Sequence, residues 1–190
     1  MGGAFWRSRA ADGPTSGGTA YVFAPPCLRH TLFLGIGVGG GGLASSFARG
    51  PTAGIQLKMG YRTAPLGPLA LELTLVGGFQ SLLTTSSVPN LDSLGLARMG
   101  GEARLYLLPL SALQPYLLLG AELHVLSVDD LESYTGPGIN AGGGLLYWLR
   151  DHFALDLELA YHRSTALDSD VGARAQAQGT TALLGFRLYL

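Results

Sequence analysis

The stretch Phe153-Ala154-Leu155-Asp156-Leu157-Glu158-Leu159-Ala160-Tyr161 places a bulky apolar side chain at every odd position and a small or acidic one at every even position. Successive side chains of a strand point to opposite faces, so a period of two predicts a strand with one apolar face and one charged or nearly bare face. Wound as a helix, the same residues would scatter Asp156 and Glu158 around the cylinder and leave no apolar stripe. An aromatic ring closes each end of the apolar row, Phe153 and Tyr161. What such a chain can become depends on which solvent that row meets.

The same period recurs from His30 to the end of the chain. Over about 30–42, Leu32, Leu34, Ile36 and Val38 oppose Phe33, Gly35, Gly37 and Gly39. Over about 53–63, Ile55, Leu57, Met59 and Tyr61 oppose Gly54, Gln56, Lys58, Gly60 and Arg62. Leu69, Leu71, Leu73 and Leu75 oppose Ala70, Glu72, Thr74 and Val76 in the third stretch. The alternation continues over about 96–107, 115–126, 138–149 and 178–190, where Tyr106, Tyr116 and Asn140 fall on the charged face. With 153–161 this makes eight predicted strands of about 10–12 residues, the length of a tilted membrane crossing. Proline and glycine mark short turns at 64–68, 108–114 and 150–152 because they fix or free φ. The links 43–52, 81–95, 127–137 and 164–177 are longer and rich in Ser, Thr, Gly and Asp. Short links on one rim and long ones on the other describe an antiparallel meander closed into a barrel, with both ends at the short-turn rim.

Alternation does not distinguish inside from outside. A soluble calycin-like ligand-binding barrel would hide the leucine rows, whereas a membrane barrel would expose them to lipid. Three features favour the membrane. The charged face is also the glycine-rich face, and the interior of an eight-stranded barrel is only just wide enough for side chains, so small residues must offset long ones there. The charges on that face balance: Lys58, Arg62, Arg98, Arg104 and Arg187 against Glu72, Glu102, Glu122, Asp156 and Glu158, with His124 set to pair with a carboxylate. Buried charges need such partners. Aromatics lie toward the ends of the apolar rows, at Tyr61, Phe79, Tyr147, Phe153, Tyr161 and Phe186, with Trp148 beside them, as interfacial girdles require. The fold class expected is all-β: an eight-stranded antiparallel up-and-down transmembrane β-barrel over 28–190, whose charged lumen either plugs it or leaves a narrow polar path.

Composition agrees. Charged residues are 13% of the chain, about half the share of a soluble domain. No run approaches the roughly 18 apolar residues of a transmembrane helix. The 12 basic and 13 acidic residues nearly cancel, against a nucleic-acid partner. Residues 1–27, rich in Gly, Ala and Pro, are expected to be a flexible, disordered leader. Arg7 and Arg9 are not followed by the apolar core of a signal peptide, so none is visible. Cys27 is the single cysteine, which leaves no internal disulfide, and Pro25 and Pro26 before it disfavour lipidation. His30, His124, His152 and His162 are dispersed without ligand spacing, so no metal is expected, and no cofactor either. The run Gly37-Val38-Gly39-Gly40-Gly41-Gly42 precedes no helix and no Lys-Ser/Thr, which argues against a phosphate loop and reads as close backbone packing or a flexible first loop.

The chain resembles the small eight-stranded outer-membrane barrels of Gram-negative bacteria, the superfamily of the outer-membrane protein A transmembrane domain and the opacity-type porins. The resemblance covers about 28–190 and is most specific at Gly185-Phe186-Arg187-Leu188-Tyr189-Leu190. That end looks like the family's assembly signal, a glycine followed by apolar residues at alternate positions: Gly185, Phe186, Leu188 and Leu190. It departs from the pattern in ending on Leu190 rather than an aromatic. Membership implies residence in the outer membrane, outer-membrane lipids and the insertion machinery as partners, and no single activity. His162-Arg163-Ser164 resembles the His-x-Ser element of the lipid A deacylase barrels, in which a histidine activates a serine toward an acyl ester. Here Thr165 stands where that family has asparagine, and no glutamate follows Glu158 to orient the histidine. A non-catalytic barrel with loop-based recognition is therefore the expected function, His162 being a solvated rim histidine. A deacylase using His162 and Ser164 is the enzymatic alternative.

Overall fold

The computed structural model describes residues 31–83, 93–128, 132–164, 167–169 and 174–190. The expected leader 1–27 with Cys27, His30, and the middle of the link 81–95 lie outside the described residues. The strands are β1 (Thr31–Ser45), β2 (Arg49–Arg62), β3 (Leu69–Leu82), β4 (Leu94–Leu107), β5 (Leu113–Val128), β6 (Glu132–Arg150), β7 (Phe153–Ser164), β8 (Leu167–Ser169), β9 (Arg174–Ala175) and β10 (Ala177–Tyr189). Each of β1 to β7 pairs antiparallel with the next, except that β7 passes over the small hairpin β8–β9 to pair with β10. β10 then pairs with β1 and closes an eight-stranded barrel. The β8–β9 hairpin hangs on the loop-side end of β6, where Tyr134 faces Ser169 and Thr135 faces Asp168.

The expected faces hold in every barrel strand. Leu73, Leu75, Leu117, Leu119, Leu157 and Leu159 turn outward and stay exposed, while Glu72 and Arg104 are wholly buried. Water would not tolerate that arrangement over a whole barrel wall, and hydrocarbon requires it. Closure also leaves each of the eight barrel strands paired on both sides, so through the lipid-facing band the backbone is satisfied within the sheet.

The strands run longer than the sequence pattern indicated, from 12 residues in β7 to 19 in β6. The link 43–52 shrinks to Ser46-Phe47-Ala48, because β1 and β2 stay paired as far as Ala44 and Arg49. The Ser45 hydroxyl accepts from the Phe47 and Ala48 N–H groups, both at 3.1 Å, and closes that turn. Likewise β5 and β6 remain paired up to Val128 and Glu132, inside the link expected at 127–137. Polar composition suggests a loop, but hairpins that emerge from a bilayer still satisfy their backbone by pairing. The glycine run of β1 is not a flexible loop either, since Gly39 to Gly42 pair with β10 on one side and β2 on the other. At Gly39 and Gly41 a Cβ would run into the carbonyl oxygens of Ala182 and Thr180, so this is where the two closing strands approach most tightly.

The interior is filled in three layers. On the short-turn side, Phe33, Tyr106, Tyr116, Leu118, Leu146, Trp148 and Tyr189 form a largely aromatic cluster. On the loop side, Leu43, Leu82, Leu94, Leu96, Leu126 and Tyr134 form an aliphatic one, joined by the partly buried Phe47. The ionic side chains lie between. Trp148, which sequence position set beside the outer girdle, instead points inward and stacks on Tyr189 with ring centroids 4.5 Å apart. It lies on the even-numbered inward face of β6, next to the outward Tyr147. Bulky rings fit this narrow interior where a strand neighbour gives way: Phe33 faces Gly60, and Tyr116 faces Gly144.

Candidate functional site

The middle layer is built by alternation. Each strand delivers every second side chain to the axis, so residues far apart in sequence meet there. Lys58 from β2 reaches across to β7, with its Nζ 3.1 Å from the Asp156 carboxylate and 2.7 Å from that of Glu158. Arg187 from β10 donates to Glu72 on β3 at 2.6 Å and to Asp156 at 2.7 Å. Arg104 from β4 pairs with Glu102 at 2.5 Å and Glu158 at 2.9 Å. Arg62, nearer the short turns, donates to Gln114 at 2.6 Å and lies 4.1 Å over the Tyr106 ring. Toward the loops, Arg98 approaches Glu122 at 3.4 Å, and the His124 Nε2 lies 3.1 Å from the same carboxylate.

Neutral side chains tie these pairs into one network. Arg187 donates to the Tyr106 hydroxyl at 2.7 Å, and that hydroxyl donates to Glu72 at 3.2 Å. Tyr116 donates to Asp156 at 2.7 Å and Glu158 at 3.0 Å. The Asn140 amide donates to Glu102 at 2.6 Å and Glu122 at 3.0 Å, linking the central and loop-side clusters. Parity set Tyr106, Tyr116 and Asn140 on the lumen face, but nothing in the sequence says that their polar ends coincide with carboxylates from other strands. Five cations and five carboxylates thus share a space of low dielectric. Each is held by partners whose removal would strand it, and stranding a buried charge costs about 3–5 kcal/mol.

His162 and Ser164 lie at the loop-side end of this layer. His162 is only 2% exposed, so it is no solvated rim residue: it sits beneath the loop-side cluster, because its parity on β7 turns it inward with Asp156 and Glu158. Its ring contacts the Arg98 guanidinium, 2.7 Å from Nε2 in one such contact, and its Nδ1 lies 3.5 Å from Glu122. The carboxylate described beside this histidine is Glu122, from β5. The Ser164 hydroxyl accepts from the Ala177 N–H at 2.7 Å and donates to the Ala177 carbonyl at 3.0 Å. Both its donor and acceptor capacity are engaged by β10, and among the described residues no hydrogen bond joins it to His162. No group of three or more His, Cys, Asp or Glu side chains with the geometry of a metal site occurs among the described residues.

At the chain's end, Phe186 and Leu188 face outward along β10 and Leu190, just past it, is exposed, while Arg187 and Tyr189 face the lumen. Gly185 lies opposite Gly37 of β1 and Asp156 of β7.

No protein-family model matches the chain, and no curated protein matches it in sequence. Solved structures do match in fold. Neisserial surface protein A superposes with a TM-score of 0.69 at 16% identity, over 83% of this chain and 96% of that one. A major outer membrane protein from Thermus thermophilus gives 0.54 at 14% identity, over 85% and 99%. The outer membrane protein OprG from Pseudomonas aeruginosa gives 0.53 at 12%, over 88% and 99%. With its leucine rows turned to lipid and its charges paired around the axis, the chain has the fold of the small eight-stranded outer-membrane β-barrels.

Proposed function

We propose that the protein is a plugged, non-catalytic barrel of the outer membrane that acts as an anchor or scaffold, with recognition carried by its loop-side rim. The observation that carries this reading is the three-layered interior. Phe33, Tyr106 and Leu146 below, Glu72 and Arg104 in the middle, and His124 and Leu126 above are each 0% exposed. A water-filled path along the axis would leave these side chains accessible to a water-sized sphere. The engagement of Ser164 by the Ala177 backbone supports a structural rather than a nucleophilic role, since an activated serine needs its proton facing a base.

Planar-bilayer recording of the purified protein tests the plug. Insertion is expected to produce no stepwise conductance in 1 M salt, a condition that weakens exposed ion pairs far more than buried ones. Regular single-channel steps from the wild-type barrel would replace the anchor reading with a narrow porin.

The outward row of β10 supports a second part of the proposal, that the insertion machinery recognises Phe186, Leu188 and Leu190. Phe186→Ala should slow appearance of the folded, heat-modifiable band in pulse-chase labelling of cells, while leaving detergent refolding of the purified chain unchanged. Equal slowing in both assays would assign Phe186 to barrel stability alone.

A further inference from the structure

The outer wall of the barrel is free of charge through its apolar band and becomes basic immediately beyond it on one side. From Leu32 to Gly42, β1 climbs about 25 Å, at roughly 3.3 Å per residue and about 40° of tilt, the height of a barrel's lipid-facing band. The next outward row along the wall runs across four strands in register: Arg163 on β7 faces Gln178 on β10, Gln178 faces Ala44 on β1, and Ala44 faces Arg49 on β2. Neighbouring strands lie about 4.8 Å apart, so the two arginine backbones are separated by about 14 Å, and both side chains are exposed.

Among the described side chains of the barrel strands, the only other outward charge is Arg150, on the short-turn rim. No ion pair among the described residues involves Arg49 or Arg163. Between them lies a cavity of about 270 Å³ whose lining includes Ser46, Gln176 and Gln178. The Tyr161 hydroxyl donates to the Gln178 carbonyl oxygen at 3.1 Å, which leaves that amide's nitrogen as a donor between the arginines. Below this row the wall is small-featured: Gly42 beside Thr180, and Gly40 between Ala182 and Ala53. These small side chains leave room for an acyl chain against the wall, with the exposed Tyr161 ring beside Thr180.

We propose that Arg49 and Arg163, with Gln176 and Gln178 between them, form a membrane-facing site for the phosphate of an outer-leaflet lipid headgroup. A guanidinium presents two parallel N–H donors to phosphate oxygens, and such charge-assisted pairs strengthen where the bilayer excludes water. The site lies on the wall rather than at the mouth, at headgroup height, and among the described residues lining it the charges are positive. It requires that the loop rim face the outer leaflet, and it is independent of whether the barrel conducts.

Native mass spectrometry of the full chain in a neutral detergent, titrated with bisphosphorylated lipid A and with the same lipid after phosphatase treatment, tests the site. Wild type should prefer the phosphorylated form by about tenfold or more, as expected for two charge-assisted contacts. Arg49→Gln with Arg163→Gln should abolish the preference, Arg49→Lys with Arg163→Lys should keep part of it, and Arg150→Gln should leave it intact. Excess inorganic phosphate should fail to displace the lipid, and displacement would overturn a lipid site in favour of a free-phosphate one. Equal binding of both lipids by wild type, which needs no variant to fold, would also overturn the proposal, as would a preference that survives in the double glutamine variant.

Discussion

Arg187 shows most directly what a single side chain does in this interior. It crosses from β10 to bind Glu72 on β3 and Asp156 on β7, and its guanidinium lies 5.0 Å from the Phe33 ring centroid. Arg187→Met keeps much of the stem's volume but leaves two buried carboxylates short of a cation. The expected loss is about 3–5 kcal/mol of unfolding free energy, read from urea unfolding in phosphatidylcholine vesicles. Adding Asp156→Asn to that variant should recover part of the loss, because it removes one of the stranded charges. A double variant no more stable than Arg187→Met would show that the two groups do not share one network.

Among the elements, β7 presents the two-faced design most fully. Phe153, Leu157 and Tyr161 face lipid, and Asp156, Glu158, His162 and Ser164 face the axis, all within one strand. The cost of placing a charge on the outer row depends on depth. Leu157→Arg, midway up the band, should destabilise by about 2–4 kcal/mol, whereas Tyr161→Arg, one step below Arg163, should cost about 0–1 kcal/mol. Vesicle unfolding of the two variants measures the difference. Similar losses at both positions would mean that the band does not end where the outer rows turn from aliphatic to polar. On β1, the tight approach to β10 explains a glycine run that composition alone would assign to a loop.

Among the described residues, the eight barrel strands enclose an interior lined by buried side chains, and polarity there is sorted by layer as well as by face. Aromatic rings close the short-turn end, aliphatic side chains close the loop end, and balanced charge occupies the middle. This arrangement confines ionic groups to a zone where most partners come from another strand, Arg104–Glu102 and His124–Glu122 being the pairs within one. It leaves the outer wall as the surface through which the barrel meets lipid, apolar for most of its height and basic at one rim. The loop-side rim is in turn framed by strands that continue past the band, with the β8–β9 hairpin attached to the extended β6.

A period of two was enough, by itself, to sort the side chains of each strand into two faces, because parity is local: Asp156, Glu158 and Arg187 had to share the side opposite their leucine and phenylalanine neighbours. Balance of charge then chose lipid over water for the outer row. Parity also sets Trp148 inward, but its place next to an aromatic row obscures this, and the inward Leu94 becomes legible only because β4 begins ahead of the stretch its pattern marks. The tertiary structure alone decided which charges pair, that Glu122 comes to His162, that Ala177 occupies Ser164, and that Arg49 and Arg163 stand in one row. Those relations depend on the stagger between strands and on barrel closure, which add up around the whole ring and are written in no single segment of the chain.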